Sequence, residues 1–221
     1  MILTDYLIAV IPSVVILTYI YFRNLRSREP VSVLFRMFLL GMLITLPAAG
    51  LQNIWPIRPA GTTPWDLFLL SFLNVALIEE SLKYIVFMRF IWSDLTHFHE
   101  LYDGIVYAAF ISLGFATMEN IFYVMSFGSG TGVARAFTAV PLHAVCEIFM
   151  GVYLGRARFT RCVLVRGYRM IMGLLIPIVI HGLYNYVIFL RSPWLTFFVF
   201  PVLVVVYYFL GIREIRDNAR R

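Results

Sequence analysis

The sequence predicts an all-α fold, a polytopic transmembrane helical bundle of about seven spans. Three observations carry that expectation. Of 221 residues, 61% are hydrophobic and only 14% are charged, with a mean hydropathy of +0.85. A soluble domain has about 45–50% apolar and about 25% charged residues. So little polar surface excludes a water-facing globule, and so much apolar surface excludes a disordered chain. Third, the apolar residues run in stretches of roughly 20, the length a helix needs to cross a bilayer.

Seven stretches meet that length: about 3–22, 31–54, 66–92, 104–127, 134–156, 168–190 and 195–212. The first has no basic segment before it and no small-residue cleavage site, so it reads as a retained span and not a signal peptide. Pro47, Pro141, Pro177 and Pro201 fall within spans, where neighbouring helices can satisfy the freed backbone groups. Trp55, Trp65, Trp92 and Trp194 lie near span ends, where an aromatic belt belongs. No linker divides the chain, and residues 1–221 read as one integral membrane domain. Cys146 lies in an apolar segment and Cys162 in an arginine-rich loop, and no disulfide is expected.

The net charge is +6, and 17 of the 18 basic residues are arginines. They sit between apolar segments, which points to the lipid bilayer surface and not to nucleic acid. Arg23, Arg26 and Arg28 follow the first span, and Arg89 ends the third. Arg156, Arg158, Arg161, Arg166 and Arg169 follow the fifth, and Arg213, Arg216, Arg220 and Arg221 form the tail. The other side holds Arg58, Arg135 and Arg191. This asymmetry predicts an outside N-terminus and a cytoplasmic C-terminus, and it agrees with an odd number of spans.

Once the orienting charges are set aside, a short list of polar residues remains inside spans. These are Glu79, Glu80, Lys83, Glu119, His143, Glu147, His181 and Asn185. A charge at a helix centre costs about 2.5–3.5 kcal/mol on insertion scales, so such residues face the bundle interior and serve pairing or function. Counted from the predicted outer ends at ~1.5 Å per residue, Glu79, Glu119, His143 and His181 lie ~12–20 Å deep, in one slab. Within helices, Glu79 and Lys83, Phe115 and Glu119, His143 and Glu147, and His181 and Asn185 are i, i+4 pairs sharing a face. Neutral imidazoles and carboxylates are zinc ligands, and a carboxylate beside them can activate water.

Structural readings stand beside these. Glu79 or Glu80 could serve only a salt bridge to Lys83, but one lysine cannot neutralise two acids. Glu119 could be a buried hydrogen-bonded acid, Asn185 a bridge between helices, and Glu147 a structural acid one turn nearer the cytoplasm. A second polar cluster, His97, His99, Glu100 and Asp103, follows the third span. Its His-x-His pattern is that of a metal pair, but its position reads as a solvated loop. Gly151 and Gly155 form a small-xxx-small pair suited to close helix packing.

The order of these blocks resembles the PrsW family of intramembrane proteases. Glu79-Glu80-Ser-Leu-Lys83 is similar to that family's EExxK motif. Tyr102-Asp103-Gly104, followed by Phe115 and Glu119, resembles its second block with an FxxxE core. Pro141-Leu-His143-Ala resembles the third block, and His181-Gly-Leu-Tyr-Asn185 the fourth. The resemblance covers residues 79–185 and extends to the wider superfamily of type II CAAX prenyl proteases. Glu119 stands where the prenyl-protease branch typically has His, which favours the PrsW branch.

The resemblance implies a membrane-embedded peptidase. Its substrate would be a single-span membrane protein such as an anti-sigma factor, cut at the first regulatory site. The residues carried over are Glu79, Glu80, Glu119, His143, His181 and Asn185. Two mechanisms stay open. In one, Glu119, His143 and His181 hold zinc and Glu79 is the base. In the other, no metal is present, Glu79 and an imidazole activate water, and His181 with Asn185 stabilises the oxyanion. The choice between Glu79 and Glu80 as base also stays open. A different class, a small proton- or cation-coupled transporter, would use the same buried acids and histidines. The absence of a visible inverted repeat speaks against it.

Overall fold

A computed structural model describes residues 2–23, 29–54 and 63–218. Trp55, Arg26, Arg28, Arg58, Arg220 and Arg221 lie outside the described residues. Among those described, the regular elements are all helical. They are α1 (Ile2–Arg23), α2 (Val31–Ile54), α3 (Pro64–Leu69), a π-helical segment (Leu70–Ala76) and α4 (Leu77–Phe90). There follow α5 (Leu101–Phe127), α6 (Ser129–Phe137), α7 (Ala139–Arg158), α8 (Val163–Phe189), a second π-helical segment (Leu195–Val199) and α9 (Phe200–Asn218).

Six helical stretches are long and apolar enough to cross a membrane. The seventh expected span is present as the continuous run α3–π–α4. Its five charged side chains, Asp66, Glu79, Glu80, Lys83 and Arg89, make it more polar than the other six. Its start is set by a capping box. Asp66 N–H donates to the Thr63 hydroxyl, Thr63 N–H donates to the Asp66 carboxylate, and Pro64 sits in the first turn.

Two expected boundaries shift. The span expected over 134–156 is two helices, α6 and α7, broken at Thr138 with φ −125° and ψ −71°. Pro141 explains the break. In a continuous helix its ring would clash with the carbonyl of Phe137, whereas in the first turn of α7 its missing N–H has no partner to lose. The span expected to start near 168 starts at Val163, so Arg166 and Arg169 belong to α8 and not to a loop. Both fold back on the end of α7, where Arg169 donates to the Arg156 carbonyl at 2.8 Å and Arg166 to the Thr160 carbonyl at 2.8 Å.

The bundle has a centre and a rim. The best spanning windows of α5 and of α6–α7 are 72% and 78% buried in protein, against 11–28% for those in α1, α2, α8 and α9. The rim helices turn side chains such as Phe35, Leu43, Leu175 and Phe197 outward, as lipid-facing surfaces do. At the centre, α5 and α7 cross where the sequence is smallest. A Cβ added to Gly104 would lie 2.6 Å from the Gly151 carbonyl oxygen, and one at Gly155 would lie 2.6 Å from that of Leu101. The small-xxx-small pair therefore serves backbone contact, which any larger side chain would prevent.

Candidate active site

Four helical segments bring their polar faces together. Glu79, Glu80 and Lys83 come from α4, Glu119 from α5, His143 and Glu147 from α7, and His181 from α8. Glu79, Glu80, Lys83, His143, Glu147 and His181 are all buried. The π-helical segment just before α4 contributes to this convergence. Its wider turn re-phases the helix ahead of Glu79, and its Phe72 packs directly against Gly182. A Cβ at Gly182 would meet that ring at 2.5 Å, so the glycine after His181 lets α8 approach.

The adjacent glutamates have separate surroundings. Successive helical residues point about 100° apart, so the two carboxylates cannot share one contact. Glu80 turns inward. Its Oε1 accepts from Lys83 Nζ at 2.8 Å and lies 2.7 Å from His181 Nδ1. Glu79 lines a cavity of about 930 Å³, and its Oε1 accepts from the Gln52 amide at 2.9 Å. Its Oε2 has no hydrogen-bond partner among the described residues and lies 4.0 Å from His181 Nε2.

The two imidazoles meet edge to face, with centroids 5.1 Å apart. His143 bridges Lys83 Nζ, 3.1 Å from Nδ1, and Glu119 Oε2, 3.0 Å from Nε2. Phe115, the partner of Glu119 in the FxxxE block, packs beneath this contact. Lys83 Nζ lies 4.9 Å from its ring centre and the His143 ring 5.8 Å from it. Glu119 Oε2 also accepts from Arg135 at 2.8 Å. Glu119, Asn185, His143 and His181 line the same cavity as Glu79, and so do Arg135 and Gln52. Glu80, Lys83 and Glu147 do not line it. Glu147 lies 3.8 Å from Lys83 with neither carboxylate oxygen hydrogen-bonded among the described residues.

Gln52 and Arg135 are the site residues that sequence reasoning passes over. Gln52 is uncharged, so a search for costly charges in spans does not register it. The charge count assigns Arg135 to the outer membrane side, as one of the orienting arginines. The Pro141 break turns that segment into α6 and carries the arginine to Glu119. Asn120, beside Glu119, links helices. Its amide donates to the Ala9 carbonyl at 3.3 Å and its oxygen accepts from Arg135 at 3.2 Å.

The donor set can hold a metal ion. Glu79, His143 and His181 each offer one ligand atom, and the three atoms lie within 4.8 Å of one another. His181 already has the surroundings of a ligand. With Nδ1–H donated to Glu80, its Nε2 lone pair faces Glu79, an arrangement common around metal-bound histidines. His143 needs one exchange. An ammonium only donates, so Lys83 at Nδ1 leaves the ring proton on Nε2, directed at Glu119. Binding a cation through Nε2 requires Lys83 to release Nδ1, and Glu147 is the nearby acceptor for that ammonium.

The family model for the PrsW family of intramembrane metalloproteases matches residues 29–212. Among curated relatives, Protease PrsW of Geobacillus kaustophilus is 38% identical over 185 residues, covering 84% of this chain and 80% of the relative. Protease PrsW of Bacillus subtilis is 35% identical over 203 residues, covering 92% and 90%. Protease PrsW of Clostridioides difficile is 29% identical over 206 residues, covering 91% and 84%. No solved structure matches. A chain with this family match and these spanning helices is a multi-pass peptidase of the cell membrane, and it belongs to the PrsW family of intramembrane metalloproteases.

Proposed function

We propose that the chain hydrolyses a peptide bond of a single-span membrane protein, with an anti-sigma factor as the substrate class. In this reading, water is activated between Glu79, His143, His181 and Glu119. The observation that carries it is the convergence of these four side chains on one cavity of about 930 Å³. A bound zinc ion would be held by Glu79, His143 and His181, and would supply Lewis acidity and a water that ionises at pH ~7.

The protein groups then have distinct tasks. Glu119 is the remaining cavity carboxylate and takes the proton from water, with Arg135 holding its orientation. Glu80 fixes the ring of His181 by the 2.7 Å contact, and Lys83 balances the charge of Glu80. The Asn185 amide is the donor to the carbonyl oxygen as negative charge develops there. This assignment exchanges the roles of Glu79 and Glu119 relative to the expectation from sequence. What supports the exchange is that Glu79 has an unpartnered oxygen beside His181, whereas Glu119 is already engaged by Arg135.

The cavity extends to Arg191 and Thr196, beyond the end of α8. With the N-terminus outside, as the arginine asymmetry favours, that end is extracytoplasmic, and the cut falls near the outer end of the substrate's span. Metal content and turnover of two isosteric variants test the assignment. Glu79→Gln should lose the active-site metal and cleavage. Glu119→Gln should keep the metal and lose cleavage. The reverse pattern would return the ligand role to Glu119. Mapping the scissile bond to the cytoplasmic side of the substrate would overturn the proposed orientation.

A further inference from the structure

A second cluster of ligand-type side chains lies at the other end of α5. Asp103 is sixteen residues before Glu119 on that helix, which is ~24 Å along the axis at ~1.5 Å per residue. Glu29, His99 and Asp103 each offer one ligand atom, and the three atoms lie within 4.8 Å of one another. Glu29 is 3% exposed and Asp103 is fully buried.

Each carboxylate has one oxygen held and one left over. Asp103 Oδ2 accepts the backbone N–H of Glu100 at 2.6 Å and of His99 at 3.0 Å. One oxygen of Glu29 accepts the Tyr107 hydroxyl. Glu29 Oε1 and Asp103 Oδ1 are buried without a hydrogen-bond partner among the described residues. Neither acid has an ion pair with lysine or arginine among those residues, and the ionic neighbour is His99, whose Nδ1 lies 3.8 Å from Asp103 Oδ2. Leaving two buried carboxylate oxygens uncompensated is costly. Carboxylates oriented by hydrogen bonds through one oxygen, with the other free, are what a metal site requires of its ligands. The His99 side chain is 47% exposed, which supplies the entry path.

We propose that Glu29, His99 and Asp103 form a second divalent-cation site, separate from the active site, that clamps the chain before α2 to the start of α5. One imidazole and two carboxylates suit a first-row transition ion such as zinc, with water completing the coordination. The site goes beyond the proposed protease mechanism and does not depend on metal binding there.

Zinc titration of the purified, chelator-stripped full chain in detergent tests it. A His143→Ala/His181→Ala variant, in which both active-site imidazole ligands are gone, should still bind about one zinc per chain and melt at a higher temperature with zinc. Adding Glu29→Gln or Asp103→Asn should abolish that binding and that shift. His99→Ala changes an exposed side chain, so it serves where the buried variants fail to fold, and it should weaken binding at least tenfold. The proposal is overturned if the His143→Ala/His181→Ala chain binds no zinc. It is equally overturned if His99→Ala binds as tightly as its parent, and a proton shared between Glu29 and Asp103 then takes the place of the ion.

Discussion

The two ends of α5 solve the same electrostatic problem in different ways. Near Glu119, four buried or partly buried acids are met by Lys83, Arg135 and two imidazoles, and the group borders a large cavity. Near Asp103, two buried acids are met by a tyrosine hydroxyl, two backbone N–H groups and one histidine. Built-in cations let acids be buried and still ionised beside open space, which suits chemistry. Acids with no lysine or arginine partner among the described residues suit the binding of a cation. The contrast is between a site that can act on a substrate and a site that can hold the fold together.

The largest test of this contrast is loss of chemistry at one end only. Glu79→Ala and His181→Ala should each lower cleavage of a co-expressed single-span substrate at least 10³-fold, about 4 kcal/mol of transition-state stabilisation. Both proteins should still insert and melt near the parent temperature. Arg135→Gln comes next. It removes the partner of Glu119 but no ligand, so turnover should fall about 10–100-fold with metal content unchanged. A variant that loses its metal instead would make Arg135 part of the ligand scaffold and blur the distinction.

The close crossing of α5 and α7 lies at the Asp103 end, where Gly104 and Leu101 meet Gly151 and Gly155. Gly151→Leu would force a side chain into the backbone at Gly104 and should cost about 3 kcal/mol, at the upper end of overpacking effects. Melting temperature and activity should fall together there, unlike at either polar cluster. The smallest effect is expected at Asp94, in the turn after α4. Partial burial raises its carboxyl, but hydrogen bonds from the His97 ring and from the Thr96 and His97 N–H groups outweigh this and hold it below its usual range. A depressed carboxyl stabilises the fold above its unfolded pKa and loses that contribution as pH falls through the folded value. Asp94→Asn should therefore flatten a shallow acid limb in the melting profile and leave neutral-pH cleavage unchanged.

Much of this molecule is legible from its sequence. Apolar stretches of bilayer length specify helices because lipid offers the backbone no other partner. Glu79, Glu119, His143 and His181 are legible for a related reason, since a polar group at membrane depth needs a use. The broken span at Thr138 was also latent in Pro141, although a hydropathy window averages over it. Gln52 and Arg135 are different. One is uncharged and the other looks like an orienting charge, and only the packing of α2 and α6 against the core gives each an acid to bind.

The sequence by itself therefore determined the membrane class, the helices and the list of costly polar groups, because these follow from transfer free energies that are local to each residue. Only the tertiary structure decided which glutamate of the adjacent pair faces the cavity and which holds Lys83 and His181. It also brought Glu29 to Asp103 across more than seventy residues of chain. Hydrophobicity sets the depth of a side chain, but its rotation about the helix and its neighbours are set by helix packing. The π-helical turn before Glu79, the break before Pro141 and the glycine contacts of α5 with α7 are the features that fix that rotation.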